Sequence, residues 1–152
     1  MKLVVAEAGS EEARESVKAL LREGFALCTV DTALAECLNA IWKHVKVHRD
    51  LSEEEAEPTI QDLTNVWDGL SILTTRELSE EAVKVALSGS VSIYDALYIG
   101  AARKLDATLY TADEKLHRAS KDIAKSSLLR ASPSREAPPY SLLLALETDS
   151  GV

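Results

Sequence analysis

Three acidic residues occupy positions from which their carboxylates could meet in one pocket. Glu36 lies within a predicted helix, Asp95 lies just inside another, and Asp113 follows a predicted strand. Mg²⁺ and Mn²⁺ take oxygen ligands and keep several waters, so two to four carboxylates can hold them. A metal bound there would lower the pKa of a water and neutralise charge on a phosphodiester. On these patterns alone the ordinary roles are favoured, because amphipathicity fully accounts for Glu36 and helix capping for the two aspartates.

The elements that would position these carboxylates alternate between strands and helices. Buried apolar runs predict strands at 25–30, 71–75 and 107–111. Capping residues and amphipathic patterns predict helices at 10–23, 79–87 and 114–125. Two more helices are predicted to begin at Asp31 or Thr32 and after Ser52. A further helix, 96–105, follows a capping box formed by Ser92 and Asp95. Pro58 is expected to divide the helix that begins after Ser52 into two pieces.

This alternation predicts an α/β fold, with a mainly parallel sheet between layers of helices. In such sheets the ligand site lies at the carboxyl ends of the strands, which is where Asp113 falls. The region after residue 130 differs: it is irregular around Pro133, Pro138 and Pro139, and then contains the apolar run 142–146. We therefore divide the chain into a domain at 1–130 and a tail at 131–152 that could add a strand to it.

Composition narrows the function further. A chain of 152 residues with 46% hydrophobic residues predicts one globular domain. Its formal net charge of −8 has the wrong sign for holding nucleic acid by a general electrostatic field, so a local site would have to do so. No apolar run reaches the roughly 20 residues of a membrane helix, and the first residues do not resemble a signal peptide, which predicts a cytoplasmic protein.

The cysteines, histidines and tryptophans are interpreted as residues without a catalytic or metal-binding role. Cys28 and Cys37 lack metal-ligand spacing and are interpreted as buried thiols. The histidines at 44, 48 and 117 form no evident triad, and Trp42 and Trp67 are interpreted as core or interface residues.

Three blocks of the sequence resemble the PIN-domain family, particularly its VapC-like toxins. They are LAECLNAIWK at 34–43, VSIYDALY at 91–98 and LYTADEKL at 109–116, and the resemblance spans roughly residues 3 to 125. It implies a three-layer α/β/α fold and a magnesium- or manganese-dependent endoribonuclease. It also implies that Glu36, Asp95 and Asp113 are three of four acidic ligands, that Thr111 supports Asp113, and that Asn39 helps to line the pocket.

The resemblance implies partners as well: an RNA substrate, a second copy of the chain in a homodimer, and a VapB-like antitoxin that covers the acidic site. Two other functions remain open at this point. One is a PIN-like binding module without catalysis, which the charge of −8 favours, and the other is a DNA nuclease with a related acidic pocket.

One family feature is not found. Members usually open with a central strand that ends in an aspartate, whereas this sequence begins close to the segment that follows it. We rank three explanations: first, that the sequence begins downstream of that strand; second, that residues 1–5 form it with Glu7 as the acid; and third, that residues 142–150, with Glu147 and Asp149, take its place. Something must fill the gap, because unpaired backbone groups in the core each cost about 1 to 3 kcal/mol.

Overall fold

A computed structural model of the protein describes residues 15, 18–111 and 113–128, and the backbone of 142–147. Helical residues at 18–22 precede the first strand. The elements that follow are β1 (Phe25–Val30), α1 (Thr32–Lys43), α2 (Glu53–Asp68), β2 (Ser71–Leu73), α3 (Thr75–Gly89), α4 (Ile93–Leu105), β3 (Thr108–Thr111), α5 (Glu114–Ser120), β4 (Ser126–Leu128) and β5 (Leu142–Glu147). A π-helical turn, His44–His48, extends α1.

The five strands form one sheet in the order β2-β1-β5-β3-β4. β1 is parallel to β2, and β3 is parallel to β4. Because β1 and β3 are both antiparallel to β5, they run in the same direction as each other. Four strands therefore share one direction, and the predicted α/β fold with a mainly parallel sheet is confirmed.

Apolar side chains on the two sides of the sheet belong to different clusters. Cys28 and Val30 of β1 lie in the main core with residues of α3 and α4. Leu27, which points to the other side because side chains alternate along a strand, packs in a separate cluster with Leu20 from the helical residues 18–22. Helical residues thus cover both faces of the sheet, as in a three-layer arrangement.

The centre of the sheet is filled from the far end of the sequence. β5 pairs with β1 from Phe25↔Glu147 to Cys28↔Leu144, and with β3 from Thr108↔Ala145 to Thr111↔Leu142. Of the three explanations, the one placed last describes the strand at this position, whereas the first, that the sequence begins downstream of the usual strand, stays a prediction. The strands on either side of β5 would otherwise carry unpaired backbone groups. Residues 1–5, Glu7 and Asp149 lie outside the described residues.

The direction of β5 places Glu147 at the opposite edge of the sheet from the carboxyl ends of the parallel strands. Glu147 pairs with Phe25 at the start of β1, whereas Leu142 pairs with Thr111 at the end of β3. The five steps from Phe25 to Val30 span about 16 Å at the usual strand rise of about 3.3 Å per residue. Glu147 therefore does not replace the missing aspartate at the carboxyl edge.

α2 is one helix, so the expectation that Pro58 divides it is wrong. The helix runs from Glu53 to Asp68 with Pro58 inside it, and a complete capping box between Ser52 and Glu55 opens it. Proline leaves the carbonyl of Glu54 without its helical donor, but both residues are exposed, so water can reach that carbonyl. The cap and the solvent contact together let the helix continue.

Other predicted boundaries also move. β2 ends at Leu73 and α3 begins at Thr75, four residues before the predicted start. The cap of α3 is a second complete capping box, formed by Thr74 and Glu77, whose pattern is present in the sequence. α5 stops at Ser120 rather than 125, and the short edge strand β4 that follows is not among the predicted elements.

Within the described residues, no single helix is long and apolar enough to cross a membrane. In the part of the chain that the structure describes, α3 and α4 taken together reach the required length and composition, but they are bent by 114° where they meet.

Candidate active site

The carboxyl edge of the parallel strands gathers the ends of three helices that carry the acidic residues. α1 starts directly after β1, and α5 starts directly after β3. α4 leads into the start of β3 through the turn at Asp106 and Ala107, and its first turn carries Asp95. Ligands of open α/β sheets bind at this edge, so the fold presents these helix starts to one region.

Glu36 lies on the second turn of α1 and is held by a residue of α4. The Tyr98 hydroxyl donates a hydrogen bond to Glu36 Oε2 at 3.3 Å. The other carboxylate oxygen, Oε1, is buried and has no hydrogen-bond partner among the described residues. Glu36 is therefore not the solvated residue of a polar helix face that amphipathicity suggested.

The surroundings of Glu36 disfavour its charged form. Burial raises the pKa of the Glu36 carboxyl, the hydrogen bond from Tyr98 lowers it, and the negative charge of Asp95 raises it again, so that the pKa lies above its usual range. The influence of Asp95 shows that the carboxylates of α1 and α4 are close enough to repel each other. A buried acceptor oxygen beside a second carboxylate is an arrangement that a cation would stabilise.

Asp95 sits in the first turn of α4, but its carboxylate is not used as a cap. Ser92 Oγ accepts a hydrogen bond from the Asp95 amide at 3.1 Å, which is the first half of the predicted capping box. The second half does not form, since the structure has no bond from the Ser92 amide to the Asp95 carboxylate, unlike the complete boxes of α2 and α3. Asp95 is half-buried, and its negative charge contributes to the raised pKa of Glu36.

Asp113 is the N-cap of α5. Its Oδ1 accepts hydrogen bonds from the amides of Lys115 at 2.8 Å and Leu116 at 3.2 Å. Thr111 is fully buried, and its Oγ1 accepts from the Asp113 amide at 3.0 Å. The supporting role expected for Thr111 is thus a backbone contact that fixes the turn after β3.

The structure brings two of the three predicted carboxylates together. Among the described residues, no three or more His, Cys, Asp or Glu side chains form a group that could hold a metal ion. Glu36 and Asp95 interact, whereas Asp113 does not complete a group of three with them. Asn39, one turn further along α1 than Glu36, is exposed.

Tyr98 belongs to one of the three resembling blocks, and the sequence alone assigns it no role. It is 2% exposed, and burial followed by the nearby charge of Glu36 raises the pKa of its hydroxyl far above the usual tyrosine range. It therefore remains a hydrogen-bond donor at any ordinary pH. The spacing of Tyr98 from Asp95, three residues along a helix, could have indicated that both lie near one site.

The remaining candidates take other places. His44 Nδ1 lies 2.9 Å from an Asp50 carboxylate oxygen, and His117 Nδ1 lies 2.7 Å from Ser126 Oγ. Trp67 packs against the main core, whereas Trp42 is 53% exposed and is not a core residue, so that for Trp42 only the interface role stays a prediction. Cys28 is a buried thiol, as expected, and burial raises its pKa to about 11.

Comparison with known proteins agrees with this architecture. The family model described as "PIN domain" matches residues 3–122, which includes Glu36, Asp95 and Asp113. A search of curated proteins finds no match to the chain.

Proposed function

Because the chain belongs to the PIN domain family, whose members are generally metal-dependent nucleases, we propose that it is an endoribonuclease of the VapC-like toxin type. In this proposal Glu36 and Asp95 bind Mg²⁺ or Mn²⁺ directly. Asp113 is the third acidic ligand, with its second oxygen available because Oδ1 alone makes the cap bonds. The substrate is RNA, cleaved by hydrolysis of its phosphodiester bonds.

The observation that carries this proposal is the pair formed by Glu36 and Asp95. Glu36 offers a buried oxygen without a hydrogen-bond partner in the described chain, next to a second carboxylate. Mg²⁺ in phosphoryl-transfer sites is commonly held by one or two carboxylates, with waters and substrate phosphates completing its shell. Two carboxylates therefore fit such an ion, and no third is required for the first binding step.

The roles of the protein's own residues follow from their contacts. Tyr98 fixes the orientation of Glu36, so that Oε1 stays directed away from the hydrogen bond. Ser92 fixes the first turn of α4 and with it the position of Asp95. Thr111 fixes the turn that carries Asp113. The bound ion would supply a water of lowered pKa and would neutralise charge on the phosphodiester.

The resemblance to VapC-like toxins also supports two partners as proposals. One is a second copy of the chain in a homodimer. The other is a VapB-like antitoxin, a small protein whose segment would cover the acidic pocket and stop cleavage. An antitoxin gene beside the gene for this protein would support the toxin type over a general role in RNA processing.

The test is manganese binding by calorimetry, followed by cleavage of single-stranded RNA in manganese. The variants are Asp95→Asn and Glu36→Gln, each of which keeps the size of the side chain and removes its charge. Asp95→Asn also keeps the backbone amide that Ser92 caps, so the fold of α4 is preserved. Asp62→Asn, at an exposed position of α2, is the matched control.

We expect the wild type and Asp62→Asn to bind manganese and cleave RNA, and the two site variants to lose both. Loss of binding by Asp62→Asn as well would show that the ion is held by general surface charge. Absence of binding by the wild type would favour the second candidate, a PIN-like module without catalysis, which the net charge of −8 and the lack of a group of three described carboxylates support. Parallel DNA substrates decide whether RNA or DNA is cleaved.

A further inference from the structure

We propose that Tyr94, on the first turn of α4, is a stacking platform for an unpaired base of single-stranded RNA beside the Glu36 and Asp95 carboxylates. This inference deepens the proposed function and rests on it. It assigns a binding role to a residue that belongs to neither the acidic group nor the core.

The exposure of Tyr94 stands out against the burial of the middle of its helix. The seven consecutive residues of α4 at 96–102 are all buried. The helix reaches solvent at its first turn, where Tyr94 is 62% exposed and Ile93 is 42% exposed. An aromatic side chain with a large open face is therefore displayed on the same turn that carries Asp95.

Helix geometry places Tyr94 on the side of α4 that faces the acidic pair. Tyr94 and Tyr98 are four residues apart, so they lie on the same side of α4, about 6 Å apart along its axis. The Tyr98 hydroxyl bonds to Glu36, so that side of α4 faces α1 and the carboxylates. Tyr94 is one turn closer to solvent on this side, and a nucleotide held against it would lie at the entrance to the pair.

The charge of the protein explains why stacking is needed. At a net charge of −8, the general field repels the phosphates of RNA, so binding must depend on short-range contacts. A base has an aromatic face whatever its identity, and stacking on a tyrosine tolerates any sequence. In a duplex these faces are covered by neighbouring base pairs, so the platform selects single-stranded RNA.

Binding is measured without cleavage, by fluorescence anisotropy of a labelled single-stranded RNA oligonucleotide in EDTA at low salt. Tyr94→Ala removes the ring, and Tyr94→Phe removes only the hydroxyl. Leu87→Ala is the matched control, because Leu87 is an apolar side chain that is 81% exposed near the C-terminal end of α3. Since both positions are exposed, the variants are expected to fold, and circular dichroism checks this.

We expect Tyr94→Ala to raise the dissociation constant about 5- to 150-fold, the range for losing one stacked base. Tyr94→Phe and Leu87→Ala should bind like the wild type, and a duplex of the same sequence should bind weakly and respond to none of the changes. A series of oligonucleotides, each with one abasic position, tests the same contact from the RNA side. With the wild type, one position of the missing base should weaken binding as much as Tyr94→Ala does. With Tyr94→Ala, the same oligonucleotide should bind no more weakly than the intact one.

Equal binding by Tyr94→Ala and the wild type, or no binding by the wild type, would overturn the inference. The proposed function is judged separately, by manganese-dependent cleavage with the wild type. Cleavage that Tyr94→Ala leaves unchanged in kcat/KM, together with unchanged binding, would reject the platform and retain the nuclease. Binding that depends on Tyr94 without any cleavage would reject the nuclease and retain the platform.

Discussion

Glu36 differs from a free glutamate in two respects: its side chain is half-buried, and the negative charge of Asp95 disfavours its ionised form. Burial and Asp95 raise its pKa in spite of the Tyr98 hydrogen bond, so the folded protein holds a proton at Glu36 more tightly than the unfolded chain does. The free energy of unfolding should therefore fall as pH rises above the ordinary glutamate pKa of about 4.3. In metal-free buffer we expect Glu36→Gln to raise the Tm at pH 7 and to lose this advantage at pH 4.

Thermal melting in EDTA at the two pH values checks this expectation. Glu57→Gln, at an exposed position of α2, is the control and should leave the Tm unchanged at both. A Glu36→Gln variant that melts below the wild type at pH 7 would contradict the direction of the pKa shift.

Asp113 has two separable roles, as a helix cap and as a proposed ligand. Asparagine caps helices about as well as aspartate, whereas alanine does not. We expect Asp113→Ala to lower the free energy of unfolding by about 1 kcal/mol and Asp113→Asn to leave it nearly unchanged. Both variants should lose manganese-dependent cleavage. Urea unfolding beside the cleavage assay separates the roles, and a fully active Asp113→Asn would reduce Asp113 to a cap.

The side-chain contacts of the candidate site are only partly predictable from the sequence. The cap of Asp113 follows from local sequence, because an N-cap bonds to amides two and three positions away. Asp95 is expected to complete a capping box, but its side chain is one methylene shorter than the glutamates that complete the boxes of α2 and α3. The contact between Tyr98 and Glu36 joins residues 62 positions apart, so no local pattern could establish it.

At the scale of single elements, α2 tests how a helix tolerates an internal proline. Pro58→Ala restores an amide that can donate to the carbonyl of Glu54 and removes the clash of the ring with the preceding turn. We expect the free energy of unfolding of the variant to be higher by about 1 to 3 kcal/mol. The upper value is the usual cost of a proline inside a helix, and exposure of the site to water reduces it. Glu57→Ala changes the neighbouring side chain but no amide, and it should stay within about 0.5 kcal/mol of the wild type.

Urea unfolding of both variants, with helicity followed by circular dichroism, provides the measurement. If Pro58→Ala and the wild type unfold at the same urea concentration, water already satisfies the Glu54 carbonyl without cost, and proline has no destabilising effect at this place.

The type of most elements is predictable, and their boundaries are less so. Phe25–Val30 has its predicted bounds, because a buried apolar run follows a glycine whose φ of 90° suits a turn. The predicted start of α3 is four residues late, although the Thr74 and Glu77 pair is a recognisable capping box. The short strand β4 has three half-buried residues and no distinctive pattern, and only pairing with β3 defines it.

At the scale of the whole molecule, the position of β5 is the feature most open to test. Ala145 pairs with Leu27 on one side and with Thr108 on the other. A proline there removes one backbone donor from the middle of the sheet, where proline is not tolerated. We expect Ala145→Pro to lose cooperative unfolding or to lower the Tm strongly, whereas Ala145→Val, which keeps the amide, should fold like the wild type.

Amide hydrogen exchange of β1 and β3 locates the effect. Their amides should lose protection in Ala145→Pro and keep it in Ala145→Val. A proline variant with wild-type Tm and wild-type protection would show that the sheet does not depend on β5. The sequence indicates this strand only as an apolar run, because its partners lie far away along the chain and its direction depends on the whole topology.

The order in which the ribosome makes these strands has a consequence for when the candidate site can be assembled. β5 pairs with residues of β1 that are 116 to 122 positions earlier in the chain. At about 5 to 20 residues per second, β1 waits roughly 6 to 24 s for its central partner. During that interval Glu36 and Asp95 are already synthesised, but the two halves of the sheet that position their helices are not yet joined. The sheet that positions the proposed site is therefore completed only after its last strand has been synthesised.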